Sequence, residues 1–198
     1  MLENLNILLG VTGGIAAYKA VDLASKLTAA GASVRTIMTA NAAQFVAAKS
    51  FEAVTHGPVF TTLWSATEEF RSAHISLTDW AQIVVVAPAT ASIIGKVAGG
   101  ICDDLLSTTL CVCWQKPTLF APAMNNRMWE NPTTQRNVAT LKLAGAHIVG
   151  PNAGRLACGT EAVGRMAEPT EIVEAIEAVA AKLGLCHPEQ SEGSGPRT

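Results

Sequence analysis

The segment LNILLGVTGG, residues 5–14, is the clearest indication of the fold class. Residues 5–11 form an unbroken apolar, β-prone run, which predicts a strand buried on both faces. Two glycines follow, and residues 15–30 then predict a helix that ends at Gly31. A glycine-rich turn from strand to helix favours a phosphate site, because helix N-terminal N–H groups remain available there. A turn that merely packs tightly fits the same residues equally well.

The rest of the chain repeats this alternation. Strands are predicted at 33–39, 82–87, 118–121 and 146–149, and helices after Asn41, from Thr90 to Val97, and at 103–112, 133–144 and 170–183. Such alternation predicts a Rossmann-like α/β fold of flavoprotein type, with a parallel sheet between two helical layers. We expect one domain over residues 1–183, followed by a disordered polar tail over 184–198.

The composition limits the classes of partner. Apolar residues make up 49% of the chain and charged residues 15%, against about 25% charged in an ordinary soluble domain. This shortfall favours a homo-oligomer that buries part of its surface, although an alanine-rich monomer would also explain it. The net charge of −2 and the lack of a basic cluster argue against a nucleic-acid partner.

The cysteines and the apolar segments predict a cytoplasmic protein. Five cysteines occur without any Cys-x-x-Cys pair, which is typical of a reduced cytosolic set. Residues 1–6 lack the features of a signal peptide. The longest apolar stretch, residues 83–101, is interrupted by polar residues, so no membrane span is expected. The cysteines and histidines also offer no set of ligands at zinc spacing, and no metal is predicted.

Two further strand ends carry hydroxyl and amide groups. An NAD-binding unit needs an acidic residue about 20 positions after its glycines, and this chain has Thr39 and Asn41 there instead. These groups suit a phosphate or a flavin, or Asn41 simply caps the next helix. Thr90, Ala91 and Ser92 follow the strand at 82–87, where capping is again the simpler interpretation. Together, the three strand ends favour an anionic cofactor.

Four residues could take part in chemistry. His74 precedes the strand at 82–87, and a lone histidine is more often a surface or core group than a base. Asn125 could donate to a carboxylate, and Met128 could line an apolar pocket, unless both belong to a capped helix and its core. Cys158 lies in a glycine-studded segment, residues 154–166, that is typical of a lid, although most cysteines are inert and buried.

Several motifs occur in an order that resembles one family. They are TGGI at 12–15, HISL at 74–77 with WA at 80–81, APATA at 87–91, GICDDLL at 100–106, PAMN at 122–125 with MW at 128–129, NP at 131–132, and LACG at 156–159. The chain is similar over residues 1–183 to the homo-oligomeric flavin-containing cysteine decarboxylases. The likeness is strongest to those that act on 4'-phosphopantothenoylcysteine in coenzyme A biosynthesis.

The resemblance implies a cofactor, a substrate and a set of site residues. It implies FMN, held by Gly13, Gly14, Ile15, Thr39, Asn41, Thr90, Ala91, Ser92 and Ala123. It implies that His74 is the catalytic base, that Asn125 grips the substrate carboxylate, and that Cys158 donates a proton from a flap. Met128, Ala157 and Cys158 would contact substrate. It also implies a trimer or dodecamer with the active site between subunits, and often a fused or separate ligase domain.

The implied reaction is redox-neutral. Transfer of a hydride from the carbon bearing sulfur would give a thioaldehyde, through which CO₂ could leave to form an enethiolate. Return of the hydride with a proton from Cys158 would complete the turnover. Relatives usually carry Asn-Thr where this chain has Ser92-Ile93, which puts flavin affinity in question. The alternatives are a decarboxylase acting on a peptide's C-terminal cysteine, a flavin prenyltransferase, and a non-enzymatic phosphatase-binding subunit.

Overall fold

The computed structural model describes residues 2–64, 72–157 and 159–185. Within them, six parallel strands form one sheet in the order β3-β2-β1-β4-β5-β6. The strands are β1 (Asn6–Val11), β2 (Ser33–Met38), β3 (Val59–Phe60), β4 (Ile83–Ala89), β5 (Thr118–Pro122) and β6 (His147–Ile148). This doubly wound order confirms the predicted α/β class with a parallel sheet.

Helices cover both faces of this sheet. They are α1 (Ala17–Ala29), α2 (Ala48–Thr55), α3 (Ala73–Trp80), α4 (Ala91–Ala98), α5 (Leu105–Val112), α6 (Asn126–Trp129), α7 (Pro132–Leu143) and α8 (Pro169–Lys182). Helix α1 packs against α2 and α8, whereas α5 packs against α3 and α4, and α4 also packs against α7. In the described ranges, no helix combines the length and the apolarity that a bilayer crossing requires.

Strand β1 shows why its sequence is apolar without alternation. Ile7 and Leu9 are buried in the core beneath α1 and α8, while Leu8 is buried in the core on the opposite face. Side chains of a strand point alternately to the two faces, so a central strand covered on both needs apolar residues throughout. Each fully buried leucine or isoleucine contributes about 1.5–3 kcal/mol relative to an exposed one.

Strand β4 runs further than its sequence predicts. The expected end was Ala87, but the strand continues through Pro88 to Ala89. Proline has no backbone N–H and is tolerated in a sheet mainly at edges and bulges. The pairing of β4 with β5 shifts register between Val86 and Ala89, and this irregularity accommodates Pro88. The extension places Thr90 directly after the carboxyl end of this central strand.

The glycine-studded segment predicted as a loop contains a β-hairpin. Strands β7 (Asn152–Arg155) and β8 (Glu161–Arg165) pair antiparallel, apart from the main sheet. Neither strand is buried throughout, so the sequence lacks the apolar pattern by which short strands are recognised. Helix α3 also carries no strong pattern and was not predicted. Most of the predicted tail, residues 186–198, lies outside the described residues.

Candidate active site

A cavity of about 790 Å³ lies at the carboxyl ends of β1, β4 and β5. Strands β1 and β4 are neighbours in the middle of the sheet, where the strand order changes direction, and open α/β sheets bind ligands at this point. The cavity wall consists of residues 13–16, 18, 19, 90, 91, 123–125, 128, 155–157 and 164–166. Cavities of about 300–1,000 Å³ are the usual size for ligands and cofactors.

The turn after β1 caps helix α1 through backbone bonds, since the Ala17 and Lys19 N–H groups donate to the Gly14 and Ala16 carbonyls at 2.9 and 3.0 Å. Ala16 occupies the N-cap position of α1 and provides no side-chain cap. The first-turn N–H groups of a helix need partners, and an anionic group can supply them. Gly13 packs directly on the next strand end, because an added Cβ would lie 2.4 Å from Asn41 Cβ and 2.8 Å from the Asn41 carbonyl oxygen. The absence of a side chain at Gly13 therefore lets the turn pack tightly against Asn41, and Gly13 also lines the cavity.

Thr12 ties the ends of β1 and β4 together. Its buried hydroxyl donates to the Pro88 carbonyl at 2.7 Å and accepts from the Thr90 N–H at 3.2 Å. The Thr12 and Thr90 hydroxyl oxygens also lie 3.2 Å apart. Thr90 is the N-cap residue of α4, and Asn41 is that of a short 3₁₀ turn over Ala42–Gln44, but neither side chain makes a capping hydrogen bond. The simpler capping interpretation therefore does not account for these two residues.

Asn125 is held in place by the start of α6. Its Oδ1 accepts a hydrogen bond from the Arg127 N–H at 2.9 Å, which fixes the side chain at the cavity wall. The other half of the amide, its NH₂ group, can act only as a hydrogen-bond donor. These donors suit a carboxylate and add no charge to the site.

The hairpin closes one side of the cavity by lying against the loop that carries Asn125. The Met124 N–H donates to the Gly164 carbonyl at 3.0 Å. An added Cβ at Gly164 would lie 2.3 Å from the Met124 carbonyl oxygen, and its φ of +153° also favours glycine. This close backbone contact brings Leu156 and Ala157 to the cavity wall.

Sequence reasoning missed a cationic part of the wall. Lys19 and Arg165 both line the cavity. Lys19 Nζ lies 2.9 Å from Glu168 Oε1, and Arg165 Nη2 lies 3.4 Å from the same oxygen. The hydrogen bond from Lys19 lowers the pKa of the Glu168 carboxyl. Lys19 and Glu168 are 149 positions apart, so no local pattern could have paired them.

The structure brings most of the predicted site residues to one cavity. Those on its wall are Gly13, Gly14, Ile15, Thr90, Ala91, Ala123, Asn125, Met128 and Ala157. They come from the ends of three strands and from the hairpin, and only the fold makes them neighbours.

Four of the remaining predicted residues lie away from the wall of this cavity. Thr39 lines a second cavity of about 160 Å³, and Asn41 contacts Gly13 from outside the large cavity. Ser92 is exposed on α4. His74 is half-buried on α3 and does not line the large cavity of this chain. Cys158 lies outside the described residues.

Comparisons with known proteins agree with this architecture. The flavoprotein family model matches residues 1–181. A coenzyme A biosynthesis bifunctional protein CoaBC from Bacillus subtilis is 45% identical over 177 residues, which are 89% of this chain and 43% of the relative. The CoaBC protein of Escherichia coli is 42% identical over 87% of this chain and 42% of its own. The chain thus spans about two fifths of the length of these relatives.

Solved structures match over nearly the whole of both chains. A mutant PPC decarboxylase complexed with pantothenoylaminoethenethiol has a TM-score of 0.84 and 33% identity, covering 90% of this chain and 100% of its own. The FMN-binding protein AtHal3 has a TM-score of 0.81 and 33% identity, covering 91% and 98%. Membership of one family explains the strand order, the cavity between the ends of β1 and β4, and these matches. The chain belongs to the flavoprotein family.

Proposed function

We propose that this chain binds FMN and decarboxylates 4'-phosphopantothenoylcysteine to 4'-phosphopantetheine. The observation that carries this proposal is the single cavity in which the glycine turn of β1, Thr90, Asn125 and the hairpin meet. The glycine turn and Thr90 suit a cofactor that bears a phosphate. Asn125 suits a carboxylate substrate, and the hairpin would cover that substrate. Relatives named for coenzyme A biosynthesis and for PPC decarboxylation support the choice of substrate.

The residues present fit FMN. Gly13 and Gly14 line the cavity at the turn that leads into α1, where backbone N–H groups can serve as donors for an anionic group. Gly13, Gly14, Ile15, Thr90, Ala91 and Ala123 line the cavity and would hold the cofactor there, with Asn41 behind Gly13. Thr39 and Ser92 would contact FMN only if the cofactor extended beyond the cavity formed by one chain. When bound, FMN supplies a reversible hydride acceptor at the carbon that bears the substrate's sulfur.

The chain's own residues orient the substrate and control its protons. The Asn125 N–H groups hold the carboxylate that leaves as CO₂, and the apolar Met128 excludes water beside it. Ala157 contacts the substrate from the hairpin side. Cys158 delivers a proton to the decarboxylated product, and His74 acts as the base.

A peptide's C-terminal cysteine is the second candidate substrate. The FMN-dependent cysteine decarboxylase SpaF has a TM-score of 0.77 and 32% identity to this chain. The higher identity to CoaBC proteins, 45% for Bacillus subtilis, favours the pantetheine-type substrate. Incubation of the purified protein with each substrate, followed by mass spectrometry, separates the two. We expect CO₂ loss from 4'-phosphopantothenoylcysteine, and exclusive turnover of the peptide would contradict the assignment.

We also propose a homo-oligomer, either a trimer or a dodecamer, whose active site lies between subunits. Ile15 and Tyr18 line the cavity and are each 61% exposed in the single chain, which favours cover by a second copy. His74, which lies off this cavity, would then reach the substrate of a neighbouring subunit. The protein would be cytoplasmic, with residues 1–183 as its decarboxylase domain and a fused or separate ligase domain as in CoaBC proteins.

Subunit mixing tests the shared site. We expect His74→Asn and Asn125→Asp each to keep FMN but lose turnover when purified alone. If one copy supplies His74 and its neighbour Asn125, co-expression should restore about a quarter of wild-type activity, since random assembly leaves that fraction of sites intact. Decarboxylation by tagged, mixed oligomers measures this. Activity no higher than that of the separate variants would place both residues in one subunit's site.

A further inference from the structure

The cationic wall of the large cavity has no role in the reaction described above. Lys19 comes from α1, Arg155 from β7 and Arg165 from β8, and all three line the cavity. Asn125 reaches the same cavity from the end of β5. The cations thus lie on different elements from the group that holds the carboxylate. A ligand with two anionic ends could therefore bind Asn125 with one end and the cations with the other.

Arg165 is fixed in position by two neighbours. Its guanidinium lies beside Glu168, with Nη2 3.4 Å from Oε1. It also lies against the backbone of Gly154, because an added Cβ there would be 3.3 Å from Arg165 Cζ and Nε. A side chain at Gly154 would displace the guanidinium. The Arg165 guanidinium therefore lies on the face of the hairpin toward which a Gly154 side chain would point, whereas Arg155, the next residue along β7, belongs to the opposite face.

The local charge balance is positive. Glu168 is shared by Lys19 and Arg165, so one carboxylate faces two cations. Arg155 is exposed and makes no ion pair within the described parts of the chain, although Glu161 lies opposite it in the hairpin register. Three cations, set against Glu168 and the cross-strand Glu161, leave a surplus of one positive charge. A phosphomonoester carries about −1.5 to −2 charges at neutral pH, and a guanidinium fork binds its oxygens in pairs.

We propose that Arg155 and Arg165, with Lys19, form a phosphomonoester subsite that selects the phosphorylated substrate. The inference rests on the proposed function for the identity of that substrate, but the subsite itself is defined by charge and geometry. Arg155 is the direct phosphate ligand, and Arg165 contributes a second fork held by Glu168. FMN carries the same phosphomonoester chemistry, so the test distinguishes substrate from cofactor.

The test measures binding without turnover. Calorimetry of the flavin-loaded protein compares 4'-phosphopantothenate with pantothenate, neither of which contains the cysteine carboxylate that reacts. We expect the wild type to prefer the phosphorylated compound, and Arg155→Gln and Arg165→Gln each to reduce that preference about tenfold or more. The exposed helical variant Arg136→Gln, away from the cavity, serves as the matched control and should keep the preference. Flavin absorbance is recorded for every variant.

The outcomes separate the two proposals. If Arg155→Gln and Arg165→Gln both retain the wild-type preference, or the wild type shows none, the subsite is wrong. Loss of FMN from these variants with the preference retained would assign the cations to the cofactor's phosphate and overturn the substrate subsite. If the wild type shows the preference and the variants lose it, yet no variant decarboxylates 4'-phosphopantothenoylcysteine, the subsite stands and the proposed reaction fails.

Discussion

Asn125→Asp is expected to lower kcat/KM for decarboxylation by about 10²- to 10³-fold while FMN stays bound. The N–H donors of Asn125 are replaced by a carboxylate that donates nothing and repels the substrate's own carboxylate. Loss of a hydrogen bond to a charged group costs about 1.5–3 kcal/mol, which is about 10- to 150-fold at 1.4 kcal/mol per tenfold, and the repulsion between the two carboxylates adds to this loss. Aspartate is as good an N-cap as asparagine. It can accept the Arg127 N–H bond that now reaches Oδ1 at 2.9 Å, so α6 should stay intact.

The chain offers a matched control for this substitution. Asn131 caps α7 in the same way, with its Oδ1 accepting from the Thr133 N–H at 2.8 Å, and it does not line the cavity. Asn131→Asp makes the same chemical change at an exposed cap, and its kcat/KM should stay near the wild-type value. Steady-state assays with flavin absorbance as an occupancy check compare the two. If Asn125→Asp stays within about threefold of Asn131→Asp, Asn125 does not hold the carboxylate.

The elements that sequence predicted well are those whose pattern is set by burial alone. β1 and β4 contribute side chains to both cores, so their apolar runs identify them without any tertiary information. The hairpin of β7 and β8 could not be found in this way. It is joined to the rest of the domain by backbone contacts such as that between Met124 and Gly164, which leave no hydrophobic period in the sequence.

The residues of the candidate site also fall into two groups, those that sequence patterns reveal and those that they do not. Gly13, Thr90 and Asn125 follow strands that the sequence reveals, and parallel strands present their carboxyl ends at one edge of the sheet. Their convergence was therefore predictable. No sequence pattern marks Lys19 as a site residue. It lies within α1, and its ion pair is with Glu168 at the start of α8, which is distant in sequence. The position of His74 depends on packing between helices, which a sequence pattern does not encode.

Gly13→Ala is expected to destabilise the protein and to abolish FMN binding, whereas Gly14→Ala should fold normally. At Gly13 the new methyl would lie 2.4 Å from Asn41 Cβ and 2.7 Å from the Asn41 carbonyl carbon, so the backbone must move. Overpacking of this kind costs about 1–3 kcal/mol. For a domain of this size each kcal/mol lowers the Tm by about 2–4 °C. The displaced turn would also no longer present its donors to an anionic group.

The neighbouring glycine distinguishes strain from loss of the cofactor. At Gly14 the methyl would meet only Thr90 Cγ2, at the ordinary contact distance of 3.7 Å, although this residue also lines the cavity. Thermal melts of flavin-free protein should therefore show a lower Tm for Gly13→Ala and little change for Gly14→Ala. Fluorescence titration with FMN then measures affinity in both. Equal Tm values would show that Gly13 and Asn41 can move apart without a loss of stability. The close packing of these two residues would then not determine the shape of the turn that binds the cofactor.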